Sequence, residues 1–145
     1  MPIAGKSPLL AAATAGYSGK PLWQKLGLKP GLRVRLVHAP DDYFGLCGFD
    51  GAQVARVARK AAACDFAHVF ATQREALERD LPEVIAALGD KGMLWISWPK
   101  KSSKVATDIT EDTLREVMLP LGLVDVKVCA VDAVWSALKF LRRLR

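Results

Sequence analysis

The chain has 145 residues, 51% hydrophobic and 25% charged, with 21 Lys and Arg against 15 Asp and Glu. That length suits one domain with a real core, and the composition argues against a disordered chain. No apolar run approaches the roughly 18 residues of a membrane span, and three cysteines without C-x-x-C spacing (Cys47, Cys64, Cys129) argue against a disulfide framework or a zinc site.

Reduced thiols fit a cytoplasmic location. The N-terminal stretch, with Lys6, Leu9, Leu10 and the Ala11–Ala13 run broken by Pro8 and Thr14, reads as a frayed tail rather than a signal peptide. The expected organisation is a flexible tail over 1–15 and one α/β domain over 16–145. The formal net charge is +6. Basic residues are spread along the chain, with one cluster at Arg142, Arg143 and Arg145. A solvated positive surface is expected, and nucleic acid or an acidic protein is the alternative partner.

In chain order, Ser18 as cap, Pro21 and Gly27 punctuate a short helix. Lys29-Pro30-Gly31 turns the chain into a strand over 33–39, closed by Pro40. A loop with Asp41, Asp42, Tyr43, Gly45 and Gly48 follows. Asp50 with Gln53 then predicts a capped helix through Val54, Val57, Ala58 and Ala61, with Arg56, Arg59 and Lys60 on its other face. Residues 66–71 form a near-continuous apolar run, as in a strand buried on both faces. Thr72 with Glu75 predicts a second capping box, opening a helix on Leu77, Leu81, Ile85 and Leu88 that stops at Gly89 and is kinked or split at Pro82. Residues 92–98 predict a third strand. Thr110 caps a helix with the stripe Leu114, Val117, Met118 and Leu121, closed by Gly122. Strands over 124–131 and 135–141 form a hairpin through Asp132-Ala133-Val134. This order predicts a compact Rossmann-like α/β fold: a mostly parallel five-stranded sheet, helices on both faces, and a C-terminal antiparallel hairpin.

Leu28-Lys29-Pro30-Gly31 leading into a strand, Leu88-Gly89-Asp90-Lys91-Gly92 before another, and Gly122-Leu123-Val124 before a hairpin resemble class I methyltransferases. The resemblance implies a glycine-rich loop after the first strand and an acidic residue ending the second, which hold S-adenosylmethionine. Here the loop is His38-Ala39-Pro40-Asp41-Asp42-Tyr43, and no second strand is evident. The usual mode of cofactor binding is therefore not expected, and the sequence names no other cofactor. A closer resemblance is to a bacterial family catalogued as a domain of unknown function (number 3052). Its phrases are Gly16-Tyr17-Ser18-Gly19, the run 25–31, Trp98-Pro99-Lys100-Lys101-Ser102-Ser103, the run 106–111, and the runs 119–125 and 127–132. It implies the compact fold and a bacterial, cytoplasmic origin, and no named activity.

Ligands of open parallel sheets bind beyond the carboxyl ends of the strands. There the first strand offers His38, Asp41, Asp42 and Tyr43; the second Thr72 and Gln73; the third Ser97, Trp98, Lys100, Lys101, Ser102 and Ser103. The hairpin adds Asp132 and Trp135. The candidate ligand site is Asp41, Tyr43, Thr72, Trp98, Lys100, Lys101, Ser102 and Asp132, with ammonium groups and hydroxyls aimed at an anion and an aromatic wall excluding water. The plainer reading is that Lys100, Lys101 and Lys104 are solvated loop charges. His38 reads as a structural residue or a general base near Asp41; His68 and Cys129 read as core; Asp108 and Thr110 read as caps. No metal site and no catalytic residue is expected. The leading expectation is a non-catalytic or regulatory module binding a small anionic ligand. The alternatives are a diverged methyltransferase-like enzyme and a basic surface for nucleic acid or an acidic protein. A homodimer through the terminal hairpin strand is a further expectation.

Overall fold

The sheet is organised around two central strands that are largely apolar where they pair, over residues 66–70 and 93–97. In a computed structural model, which describes residues 19–58 and 62–143, β3 (Cys64–Phe70) and β4 (Leu88–Pro99) pair in parallel over Phe66↔Met93 to Phe70↔Ser97. β1 (Arg33–Val37) adds to β3 in parallel, from Val34↔Phe66 to Val37↔Val69. The hairpin of β5 (Leu123–Ala130) and β6 (Trp135–Arg142) docks through β6, antiparallel to β4 from Leu94↔Phe140 to Pro99↔Trp135. A two-residue strand, β2 (Ala55–Arg56), pairs in parallel with Arg33 and Val34. The order is β2-β1-β3-β4-β6-β5, six strands rather than five.

Alternation along the strands feeds two cores. Ala67, Val69, Leu94, Ile96, Trp98, Leu138 and Phe140 face α3 (Arg74–Ala87) and α4 (Glu111–Met118), meeting Leu77, Leu81, Val84, Leu114, Val117 and Met118. Phe66, Phe70, Trp95 and Ala137 face α1 (Leu22–Leu26) and α2 (Tyr43–Cys47), meeting Leu26, Tyr43 and Cys47. The three-residue separation of Trp95 and Trp98 puts them on opposite faces, as expected. Trp95 is fully buried, and its Nε1–H donates to the Leu26 carbonyl at 2.8 Å, tying the last turn of α1 to the sheet. Gly27 ends that turn at φ +85°, a conformation open to glycine without strain.

Several expectations are corrected. The helix expected from Asp50 to Ala61 is absent over residues 50–58. Asp50 accepts from the Ala52 N–H and caps only a 3₁₀ turn, Gly51–Gln53. The chain then extends, because the open edge of β1 offers partners: Ala55 N–H donates to the Leu32 carbonyl and Val57 N–H to that of Val34. Ladder bonds to β1 outweigh a local capping pattern. Tyr43 starts a helix instead of lying in a loop. Thr72 does not cap α3; its N-cap is Gln73, and the Arg74 N–H is satisfied by Asp108 Oδ1 at 2.7 Å, 34 residues away. α3 continues through Pro82 without a break. Leu121 falls in a 3₁₀ turn and is exposed. β6 is paired on both sides, so β5, not the terminal strand, is the edge at the hairpin end of the sheet. Thr110 caps α4 as expected, in a reciprocal box with Thr113. The expected cap Ser18, Arg59, Lys60, Ala61 and Arg145 lie outside the described residues. Among the described residues no helix is long and apolar enough to cross a membrane.

Candidate functional site

The parallel strands β1, β3 and β4 lie side by side, so the segments that follow them leave one rim of the sheet. Among the described residues two cavities open there. The larger, about 790 Å³, lies between the end of β4, the connection to α4 and the first turns of α4. Trp98 and Ile109 line its apolar part, and Lys100, Lys101 and Lys104 supply charge, with Thr107, Thr110, Arg115 and Ser136 beside them. The smaller, about 280 Å³, is lined by His38, Phe70, Ala71, Thr72, Ala76, Asp80 and Trp135. The Thr107 hydroxyl donates to the Thr72 carbonyl at 2.6 Å, and the Asp108 N–H approaches that carbonyl at 3.4 Å. The Thr107–Thr72 bond joins a residue lining the smaller cavity to one lining the larger.

The local fold of the lysine loop follows from its residues. Pro99 ends β4, and the Lys100 N–H donates to the Val134 carbonyl, holding the loop to the hairpin. Lys101–Ser103 make one 3₁₀ turn, and Ser103 Oγ donates to the Lys100 carbonyl at 2.7 Å. Lys104 reverses the chain at φ +63°. Arg115 is already committed: Nη2 to Glu111 at 2.9 Å, Nη1 to Asp112 at 3.1 Å and Nε to Asp125 at 3.0 Å. The two carboxylates lining the groove are thus occupied by Arg115. Lys100, Lys101 and Lys104 have no ion-pair partner among the described residues. The groove therefore carries a local excess of positive charge.

Of the eight residues expected at one site, the groove gathers three: Trp98, Lys100 and Lys101. Thr72 lines the neighbouring cavity. Ser102 is exposed on the 3₁₀ turn and is not in the groove wall. Asp41 is exposed on the loop after β1. Tyr43 is buried; its hydroxyl bonds His68 Nδ1 at 2.8 Å, because α2 turns it inward. Asp132 is spent on its own turn, accepting from the Val134 and Trp135 N–H groups at 2.8 Å each. Ser97 is buried and bonds His68 Nε2 at 2.6 Å. Burial pushes the His68 ring down to about 3, so it is the neutral core group expected. The same desolvation raises Tyr43 and Cys47, the thiol to about 12, and raises Cys129. None of these is poised as a nucleophile. Sequence reasoning missed Arg115, Thr107 and Ser136, which reach the groove from elements remote in the chain. It also missed Asp80, the partner of His38 at 3.1 Å, where Asp41 was the named candidate. Arg142 is structural: its Nη2 donates to the Ile85 and Leu88 carbonyls at 2.6 Å each.

The cofactor cradle of a methyltransferase does not fit these residues. After β1 the backbone carries His38-Ala39-Pro40 and enters α2, with no glycine before Gly45. The second strand, unseen in the sequence, is present, but it ends in Arg56-Val57-Ala58 with no acidic side chain for a ribose.

No protein-family model and no curated protein matches the chain. Solved structures do. The 1,6-didemethyltoxoflavin-N1-methyltransferase of Burkholderia thailandensis superposes with a TM-score of 0.59 at 16% identity, covering 85% of this chain and 75% of that one. A TehB-like SAM-dependent methyltransferase from Corynebacterium glutamicum gives 0.55 at 13%, covering 89% and 91%. The ribosomal protein L11 methylase of Lactobacillus delbrueckii subsp. bulgaricus gives 0.52 at 12%, covering 83% and 74%. At these identities the likeness is one of fold: this chain has a Rossmann-like α/β fold of the methyltransferase type.

Proposed function

We propose that this chain is a methyltransferase-like module, non-catalytic or regulatory, that binds a small phosphate- or carboxylate-bearing ligand in the groove of Trp98, Lys100, Lys101 and Lys104. One observation carries the reading: three lysines without ion-pair partners among the described residues line a cavity whose two carboxylates, Glu111 and Asp112, both pair with Arg115, so positive charge exceeds negative in its wall. An anion there gains charge-assisted hydrogen bonds against a partly apolar wall, where they are stronger than in bulk water. The missing glycine loop and acidic residue support binding without the methyl donor. The bacterial family resemblance agrees with such a module and belongs to the same proposal.

Thermal shift against a panel of phosphates and carboxylates tests it. Stabilisation of the wild type, lost in a Lys100→Ala/Lys101→Ala double variant, is expected. Equal stabilisation of both proteins, or of neither, would overturn it. A second reading, a diverged methyltransferase, is favoured by the sheet order with its antiparallel β6. It requires calorimetric binding of S-adenosylmethionine, and silence at millimolar ligand ends it.

A further inference from the structure

The smaller rim cavity has a chemistry of its own, independent of the lysine groove. Phe70 and Trp135 form an aromatic corner in its wall, with centroids 5.1 Å apart and planes at 88°. Ala71 and Ala76, both small, leave the space open. Besides Thr72, a polar pair lines the same cavity: His38 Nε2 and Asp80 Oδ2, 3.1 Å apart. A carboxylate only accepts, so Nε2–H donates to Asp80, and a ring protonated at Nε2 alone presents a lone pair at Nδ1. Nδ1 has no partner among the described residues. His38 also holds a left-handed backbone, φ +56°, where the parallel ladder of β1 has just ended. A non-glycine residue kept in that region is held by its surroundings.

We propose that this cavity binds a small planar molecule, an aromatic ring or heterocycle with an N–H or O–H, the ring against Phe70 and Trp135 and the donor on His38 Nδ1. Flat walls with a few convergent polar groups are the usual make-up of such sites, and aromatic edges and faces select a ring over a flexible chain. Asp80 acts as a positioning residue, fixing the tautomer and the plane of the imidazole.

The probes are phenol and anisole, which share a ring and differ in the donor. Titrations followed by NMR at the Trp135 indole N–H, identified with a Trp135→Phe variant, give both affinities. Phenol is expected to move that signal and to bind about three-fold tighter than anisole, the worth of one hydrogen bond to an acceptor as exposed as His38. In His38→Gly, which keeps the left-handed backbone without strain, the ratio is expected to fall to about one. Ala76→Leu, on the outer part of α3, fills the cavity and is expected to abolish both responses. Lys100→Ala/Lys101→Ala is expected to leave the ratio unchanged. The proposal is overturned by no response to phenol in the wild type, by equal affinities for the two probes, by a ratio that survives His38→Gly, or by loss of phenol binding in the lysine variant.

Discussion

Acid should unfold this protein through one buried histidine. His68 lies between the Tyr43 and Ser97 hydroxyls with no exposure, and its pKa falls from the ordinary 6.5 to about 3. The folded value is the depressed one, so the unfolded chain binds a proton that the native state refuses. Stability from this group is therefore complete above about pH 6.5 and is lost as pH falls towards 3. Integrated over the whole window the loss is about 5 kcal/mol, and between pH 7 and pH 5 about 2 kcal/mol. Urea unfolding at a series of pH values measures it. His68→Gln retains an amide donor and acceptor for the two hydroxyls but has no proton to gain, so its stability should be flatter over pH 7 to 5 by that same amount. Parallel pH profiles for the two proteins would refute the assignment of His68 as the neutral centre of the core.

Asp108→Ala removes the side chain that satisfies the first N–H of α3 from another segment. It should cost about 1 kcal/mol in a urea melt, the usual worth of an N-terminal cap; an unchanged midpoint would mean that water replaces it without loss. Gly27→Ala forces a side chain onto φ +85° beside Met93 and should cost about 1–2 kcal/mol, with no change in stability counting against the left-handed cap that ends α1.

What was legible in the sequence was local or strongly periodic. Thr110, Glu111 and the Leu114-Val117-Met118 stripe announce α4 because cap and stripe lie within one short segment. The apolar runs of β3 and β4 mark the buried centre of the sheet. Interactions across the chain were not legible. β2 is two residues long and exists because β1 has an open edge, which no property of Ala55 or Arg56 announces. Without that edge in view, Asp50, Gln53 and the apolar spacing up to Ala61 spell a helix. Tyr43 stands among aspartates and glycines that spell a loop, and only the docking of α2 on His68 and Phe70 turns it into the core. The rim itself was foreseeable from strand direction. Which rim residues share a cavity was not, since Asp132 satisfies its own turn and Arg115 and Asp80 arrive from helices.

The most direct test of the anion groove is an amide NMR map with inorganic pyrophosphate at moderate salt. The largest shifts should fall on residues 100–107 and the first turn of α4, and should vanish in Lys100→Ala/Lys101→Ala. Shifts centred instead on Arg33 and Lys29, or scattered over the basic surface with no focus, would contradict the account.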